Sequence, residues 1–597
     1  MLVYKNNVFI FIKGEGWHMP EQRYRWKIKE LRDQVSIIDG HKSPTILLRN
    51  ATYLNSVFRK WMKANIWIYE DRIIYVGEKL PEKIDNCEVV DCHGQYLVPG
   101  YIEPHAHPFQ LYNPHSFSNY ASQYGTTTFI NDNLMLALLL DKKKAFSFIE
   151  EIKNLPVTTF WWCRFDSQTE ILEEETVFSH SSIKNWLEQG DVIQGGELTG
   201  WPKLIAGDDF LLYWMQEAKR QGKPIEGHFP GASEKTLAKL MLLGASCDHE
   251  AMTGEELKRR LMQGYFVSLR YSSIRPDLPN ILKEMIEDEI DCFDHCMLTT
   301  DGSPSAFYEP GVTDHLIKMA IDAGVPTVEA YHMATYNIAR YYHKEHLLGN
   351  IGTGRVANIN FLQSKDNPTP ISVLSKGKWL KRNQKDLQQF PEIQWEKLGF
   401  EKLQLDWEIT VDDLQFSMPV GIKMENAVIT KPYSITIDAS VEEIHPSNDE
   451  CFFMLMDRFG KWRINTLLKG FANVGGFASS FSNTGDIIII GKRKSDMVHA
   501  FNRLKDIGGG IVLSEHEQII HEIPLPLAGK ASNQPLEWLM EKEKMLKSLL
   551  LERGYHFADP IYTLLFFSST HLPYVRITQR GIYDVMNKMV LFPSIMR

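Results

Sequence analysis

Four imidazoles and two carboxylates stand at the ends of short apolar runs in this chain. His105 and His107 lie in Pro104-His105-Ala106-His107, Glu197 follows Gly196, His228 follows Gly227, His249 follows Asp248, and Asp301 closes Thr299-Thr300-Asp301. Imidazole nitrogens and carboxylate oxygens in this mixture are the ligand inventory of a paired divalent-metal site that activates water for hydrolysis. His105 and His107 are two residues apart, and side chains alternate along a strand, so both point to one side.

Such residues need elements that bring them together. From about residue 97 short β-rich runs alternate with longer amphipathic stretches. The strand candidates are Tyr96–His105, Thr126–Ile130, Val157–Trp161, Asp191–Glu197, Pro224–His228, Ala245–Asp248, Tyr265–Leu269 and Cys296–Thr300. Helical patterns between and after them include Asp141–Lys153, Asp208–Arg220, Ser233–Leu243, Glu255–Gln263, Leu278–Asp288 and Thr313–Ala323. Asp208 and Ser233 fit as N-caps, and Gly244 and Gly264 fit as stops. Eight β/α units in about 250 residues predict an α/β fold, a (β/α)8 TIM-like barrel spanning 99–349. His105, Glu197, His228, His249 and Asp301 then close strands one, four, five, six and eight, at the end of the barrel where active sites form.

Composition narrows the function. A chain of 597 residues is too long for one core, and 44% hydrophobic with 23% charged residues is ordinary for a globular protein. The formal charge of −10 argues against a nucleic-acid binder, whose backbone contacts need a basic face. The basic stretch Arg23 to Arg32 is interleaved with Glu30 and reads as a solvated helix face. Seven scattered cysteines with no C-x-x-C pair suit a reducing compartment. No run approaches the roughly 18 apolar residues of a membrane span, so no membrane association and a cytoplasmic location are expected.

Around the barrel, residues 45–98 plus 350–378 read as a small composite β domain, with strands at Thr45–Arg49, Ile66–Tyr69, Arg72–Val76, Glu88–Asp91 and Asn358–Gln363. Residues 1–44 read as an N-terminal extension with one helix. The polar segment Lys381–Phe390 reads as a linker to a C-terminal α+β domain over 391–597. That domain holds the buried-strand candidate Asp486–Gly491 and Gly508-Gly509-Gly510, which reads as a tight turn because no G-x-G-x-x-G unit surrounds it. Trp161, in the Trp161-Trp162 pair ending strand three, is a candidate to stack on a substrate ring, with core packing as its alternative.

The run Leu97-Val98-Pro99-Gly100-Tyr101-Ile102-Glu103-Pro104-His105-Ala106-His107 resembles the amidohydrolase superfamily. Gly470-Phe471, Gly475-Gly476-Phe477-Ala478-Ser479-Ser480, the Pro524–Gly529 stretch, Asp559-Pro560, Arg576-Ile577-Thr578 and Gly581-Ile582-Tyr583-Asp584 resemble the adenine deaminase family within it. So do Leu269-Arg270-Tyr271-Ser272-Ser273 and Met333–Arg340. The chain departs from the family where Pro108-Phe109-Gln110 follows the first His-x-His, where Asn131-Asp132-Asn133-Leu134 replaces Asp-Pro-His-Glu, and at Thr300-Asp301-Gly302 in place of Thr-Asp-Asp. Phe481–Asp486 stands where the family has Ala-His-Asp-Ser-His-Asn.

The resemblance implies two divalent metals per chain, manganese first, with iron and zinc also acceptable to these donors. His105, His107 and Asp301 would hold one ion, His228 and His249 the other, and Glu197 would bridge. Asp301 would also carry the proton, and Arg270 and Ser272 would orient the substrate. The implied reaction is hydrolysis of adenine to hypoxanthine and ammonia, with a small purine or related heterocycle as partner and a homodimer as the assembly. Two alternatives stay open: hydrolysis of another aminopurine or cyclic amide, and a non-catalytic binding protein. The P-C-x-x-C signature of the zinc nucleobase deaminases is absent, so any deamination must use the barrel.

Overall fold

The computed structural model describes residues 26–387 and 389–597. The eight-stranded sheet at its centre is parallel throughout. Its strands are β1 (Tyr101–Ala106), β2 (Thr126–Asn131), β3 (Thr158–Cys163), β4 (Val192–Leu198), β5 (Ile225–Gly227), β6 (Cys247–Asp248), β7 (Phe266–Arg270) and β8 (Cys296–Thr299), paired in sequence order. Where β8 meets β1, buried Glu103 ties the seam. Its carboxylate accepts from the Thr299 hydroxyl at 2.5 Å and from the Thr300 amide and hydroxyl at 3.0 and 2.8 Å.

The helices of the barrel begin where the sequence placed caps. Asp208 accepts from the Leu211 amide ahead of Asp209–Arg220, and Ser233 accepts from the Thr236 amide ahead of Glu234–Leu243. Each such cap is worth about 1 kcal/mol by satisfying an otherwise unpaired donor. Strands β1 to β8 alternate their faces between two apolar layers. Ile102, Ile130, Phe160, Trp162, Ile193 and Met297 fill the interior, while residues such as Trp161, Val192 and Leu298 pack outward against the helices.

The first strand candidate is two strands. Tyr96–Pro99 pairs with Ile359–Leu362 in a separate nine-stranded sheet, the Gly100 amide donates to the Asn358 carbonyl, and only from Tyr101 does the chain pair with β2. This second sheet also holds Ile46–Asn55, Lys60–Tyr69, Arg72–Gly77 and Glu88–Asp91. It runs on through Ser372–Ser375, Lys378–Arg382 and Lys385–Asp386, into the segment expected as a linker. One helix, Ile28–Ile38, precedes it; most of the expected N-terminal extension, including Arg23 of the basic stretch, lies outside the described residues.

Beyond the barrel a third sheet carries Ile487–Gly491 at its centre, backed by the helices Lys494–Ile507 and Leu536–Glu552. Gly508 ends the first of these helices in a left-handed C-cap, which is the tight-turn role expected of the glycine run. Among the described residues no helix is long and apolar enough to cross a membrane.

The C-terminal domain sits on the barrel mouth. The Thr570 amide donates to the Gln168 carbonyl at 3.0 Å, Ser273 donates to Asp559 at 2.6 Å, and the Ser532 amide donates to the Leu111 carbonyl at 2.6 Å. Glu543 of the long helix accepts from the Ser305 hydroxyl and the Ala306 amide just beyond β8. Burial and the neighbouring Asp559 push the Glu543 carboxyl up to about 8. A folded carboxyl that holds its proton when the unfolded chain has lost it costs stability as pH rises, here from about 4.5 to 8. Glu543→Gln keeps an acceptor for Ser305 without an ionisable proton. Its melting temperature relative to the native chain is expected to rise steadily between pH 5 and pH 8 in calorimetric scans. A constant difference would exclude this coupling.

Candidate metal centre

Each expected ligand reaches the mouth of the barrel from a strand end. His105 belongs to β1, Glu197 to β4, His228 and His249 directly follow β5 and β6, and Asp301 stands two residues past β8. Asp301 takes a left-handed backbone conformation (φ 55°), which aspartate tolerates better than most residues. At Gly196 (φ 89°) a β-carbon would lie 2.5 Å from the Glu226 carbonyl oxygen, so only glycine lets the chain place Glu197 there. At Gly302 a β-carbon would meet the His107 side chain at 2.6–2.8 Å. The departure from Thr-Asp-Asp therefore makes room for a ligand.

The donor atoms fall into two groups that share one carboxylate. Glu197 Oε2 lies 3.8 Å from both His105 Nε2 and His107 Nε2, and Asp301 Oδ1 lies 3.8 and 3.1 Å from the same two nitrogens. Glu197 Oε1 lies 2.9 Å from His228 Nδ1 and 3.5 Å from His249 Nε2. Glu250 joins this second group, with Oε1 3.3 Å from His228 Nδ1 and 3.6 Å from His249 Nε2.

These donors fit a divalent ion. His105 Nε2 is fully buried and makes no hydrogen bond, which is costly for an imidazole nitrogen unless it has a ligand to coordinate. The opposite nitrogens face carboxylates, the arrangement that orients metal-bound histidine. Glu226 Oε1 is 3.2 Å from His105 Nδ1 and 3.3 Å from His249 Nδ1, and Asp132 Oδ2 is 3.0 Å from His107 Nδ1. Glu226→Gln is expected to weaken metal binding about 10- to 100-fold. Competition with a chelator measures this, and unchanged affinity would remove Glu226 from the account.

The electrostatics keep the acids ionised. Burial favours the neutral form of Glu197, yet the Arg164 guanidinium with His228 and His249 holds its carboxyl well below the usual range. Asp301 is likewise held low against burial by His107 and Arg270, and Glu226 is brought down to about 2 against burial by His105 and His249. The same carboxylates draw protons onto the rings: despite burial, Asp132 and Asp301 raise His107 to about 10. A pocket that pulls in protons this strongly is built for positive charge.

The remaining sequence candidates divide. Arg270 is buried and donates to Glu250 Oε1 at 2.6 Å and Asp301 Oδ2 at 3.1 Å, so it grips a candidate ligand. Ser272 is buried in the turn after β7, with its hydroxyl unpartnered. Trp161 turns away from the centre and packs edge-on against Phe148, 6.1 Å between centroids. Its neighbour Trp162 faces inward instead, 4.6 Å from the His105 ring, because adjacent strand residues point to opposite faces.

Several residues escaped the sequence reading. Glu226 stands two before His228 on β5 and Asp132 directly follows β2, so strand alternation and the strand-end rule could have found both. Arg164 donates to Asp132 Oδ1 and Oδ2 at 3.0 and 2.6 Å and to Glu197 Oε2 at 2.6 Å. His571, from the C-terminal domain, sets its ring edge-on to His228 at 5.2 Å. No local pattern marks it. The cavity beside His107 is lined by Phe109, Met135, Gln168, Asn483, Lys530 and Leu565 among others, so both domains wall it. At about 40 Å³ it holds a few waters, and a purine-sized ring requires side chains or the C-terminal wall to move.

Comparisons with known proteins show the family. The amidohydrolase family pattern matches residues 96–380, and the pattern of the adenine deaminase C-terminal domain matches residues 427–589. A Halalkalibacterium halodurans protein named "putative adenine deaminase" is 59% identical over 581 residues, 97% of this chain and 100% of that one. A Bacillus subtilis (strain 168) protein of the same name is 56% identical over 580 residues, again 97% and 100% of the two chains. A Bacillus velezensis protein named adenine deaminase is 26% identical over 572 residues, 93% of this chain and 98% of that one. The chain belongs to the adenine deaminase family of the amidohydrolase superfamily.

Proposed function

We propose that the protein is a metal-dependent hydrolytic deaminase that converts adenine and water to hypoxanthine and ammonia, using two divalent ions per chain, manganese first. The observation that carries this reading is the single carboxylate of Glu197 turning one oxygen to His105 and His107 and the other to His228 and His249. His105, His107 and Asp301 would hold one ion and His228 and His249 the other, with Glu250 grouped beside the second pair. When bound, such ions supply Lewis acidity and lower the proton affinity of water in the site.

The chain's own groups do the rest. Asp301 Oδ1 takes a proton from the attacking water and returns it to the amino group at C6, while Arg270 fixes Oδ2 and so the angle of the carboxylate. Water adds to C6, and collapse of the tetrahedral carbon breaks the C–N bond and expels ammonia. Glu226 and Asp132 keep the rings of His105, His249 and His107 turned to the centre. Beneath the C-terminal domain His105, Glu197 and His249 are buried, which strengthens the charge interactions among them.

Incubating the manganese-loaded chain with adenine and following hypoxanthine by its ultraviolet spectrum tests the reading. Stoichiometric hypoxanthine and ammonia are expected. No product from adenine, with turnover of another aminopurine or a cyclic amide, would replace the substrate and keep the hydrolase.

A further inference from the structure

The cavity beside His107 contains a cation that the chemistry above does not use. Lys530 is 2% exposed, and its ammonium carries three N–H donors. Among the described residues the ammonium's only hydrogen bond goes to the Ser482 carbonyl, and the Phe481 ring lies 4.2 Å away beneath it. Among the described residues no carboxylate pairs with it, and the nearby charge that acts on it is another cation, Arg458. Lysine is almost never buried without a partner, because a desolvated ammonium with unused donors is costly. Burial, with Arg458, pushes its pKa down to about 7.

Its neighbours on the cavity wall are also polar. Asn483 comes from the same domain, and Gln168 comes from the loop after β3, held in a left-handed conformation (φ 62°). The Gln168 carbonyl accepts from Thr570, so this residue is fixed between the two domains. Apolar Phe109, Met135 and Leu565 complete the lining and suit the faces of a flat ring.

We propose that Lys530, with Asn483 and Gln168, forms a subsite for an oxygen acceptor, so that the preferred ring carries a carbonyl or carboxylate oxygen away from the bond that is cut. This rests on the hydrolase reading of the centre and names its substrate class more closely. An oxygen at this point satisfies the spare donors of the ammonium and offsets its desolvation. Adenine has only ring nitrogens to offer there.

The test measures binding rather than turnover, so it survives a failure of the adenine reaction. The full manganese-loaded chain is titrated calorimetrically with hypoxanthine, xanthine and uric acid, which share the C6 oxygen and add oxygens at C2 and then C8. Xanthine or uric acid is expected to bind at least 10-fold tighter than hypoxanthine, and in Lys530→Met the difference is expected to shrink to within twofold at unchanged metal content. Equal affinities in the native chain, or no binding of the three, would overturn the proposal without reference to any variant. A preference that persists in Lys530→Met would overturn it as well. If Lys530→Met does not fold, Lys530→Gln gives the same readout with a donor retained and the charge removed.

Discussion

Glu197→Gln is expected to lower kcat at least about a thousandfold and to release metal from the purified chain. Losing an outer partner of a ligand costs about 10- to 100-fold in such sites, and losing the shared ligand itself removes more. The amide has one oxygen to offer, so it cannot present an anion to His105 and His107 on one side and to His228 and His249 on the other. The fold is expected to persist. Arg164 keeps its two-point contact with Asp132, so the substitution leaves no buried guanidinium unpaired. Steady-state kinetics with metal analysis by plasma mass spectrometry checks both parts. A variant with native activity would remove the bridging role.

Asp301→Asn separates holding from proton transfer. Its one oxygen can still face His107, but the amide nitrogen then meets the Arg270 guanidinium in place of the second oxygen, so only part of the metal is expected to stay. The proton carrier is gone, and general acid–base catalysis of this kind is worth about 10²- to 10⁴-fold in kcat. The expected result is therefore a kcat loss in that range with KM within a few-fold of native. A rise in KM at unchanged kcat would show Asp301 to be a binding group and assign the proton to another residue.

The barrel and the convergence of the candidate ligands at its mouth were legible for one physical reason. Ligands at strand ends sit next to the runs that make the strands, so His105, Glu197, His228, His249 and Asp301 could be read from local spacing alone. What escaped depends on packing across the chain. Trp161 and Trp162 differ only in which face of β3 they occupy, and the sequence pair alone left open which of the two packs outward against the helices. Arg164 is legible as a buried cation only once Asp132 and Glu197 are known to converge on it. His571 meets His228 and Lys530 lines the cavity from positions more than two hundred residues beyond β8 in sequence, where no periodicity predicts a shared wall. The strand boundary at Gly100 was hidden because one apolar run feeds two sheets.

The placement of the C-terminal domain also gives the family departures a physical setting. Phe481–Asp486 supplies Asn483 to the cavity and the Phe481 ring beneath Lys530. Arg576, fully buried, donates to the carbonyls of Val428, Phe566 and Pro573 and so ties down the loop that carries His571. The C-terminal domain thus lines the cavity, while the barrel carries the candidate metal donors.

The central claim is that two metal ions bridged by Glu197 drive the deamination. Metal-free protein titrated with manganese, with ammonia release from adenine measured at each step, tests it most directly. The account predicts activity that rises until two equivalents per chain are bound and then stays level. Full activity at one equivalent would contradict the paired centre, and no ammonia at any loading would contradict the deaminase.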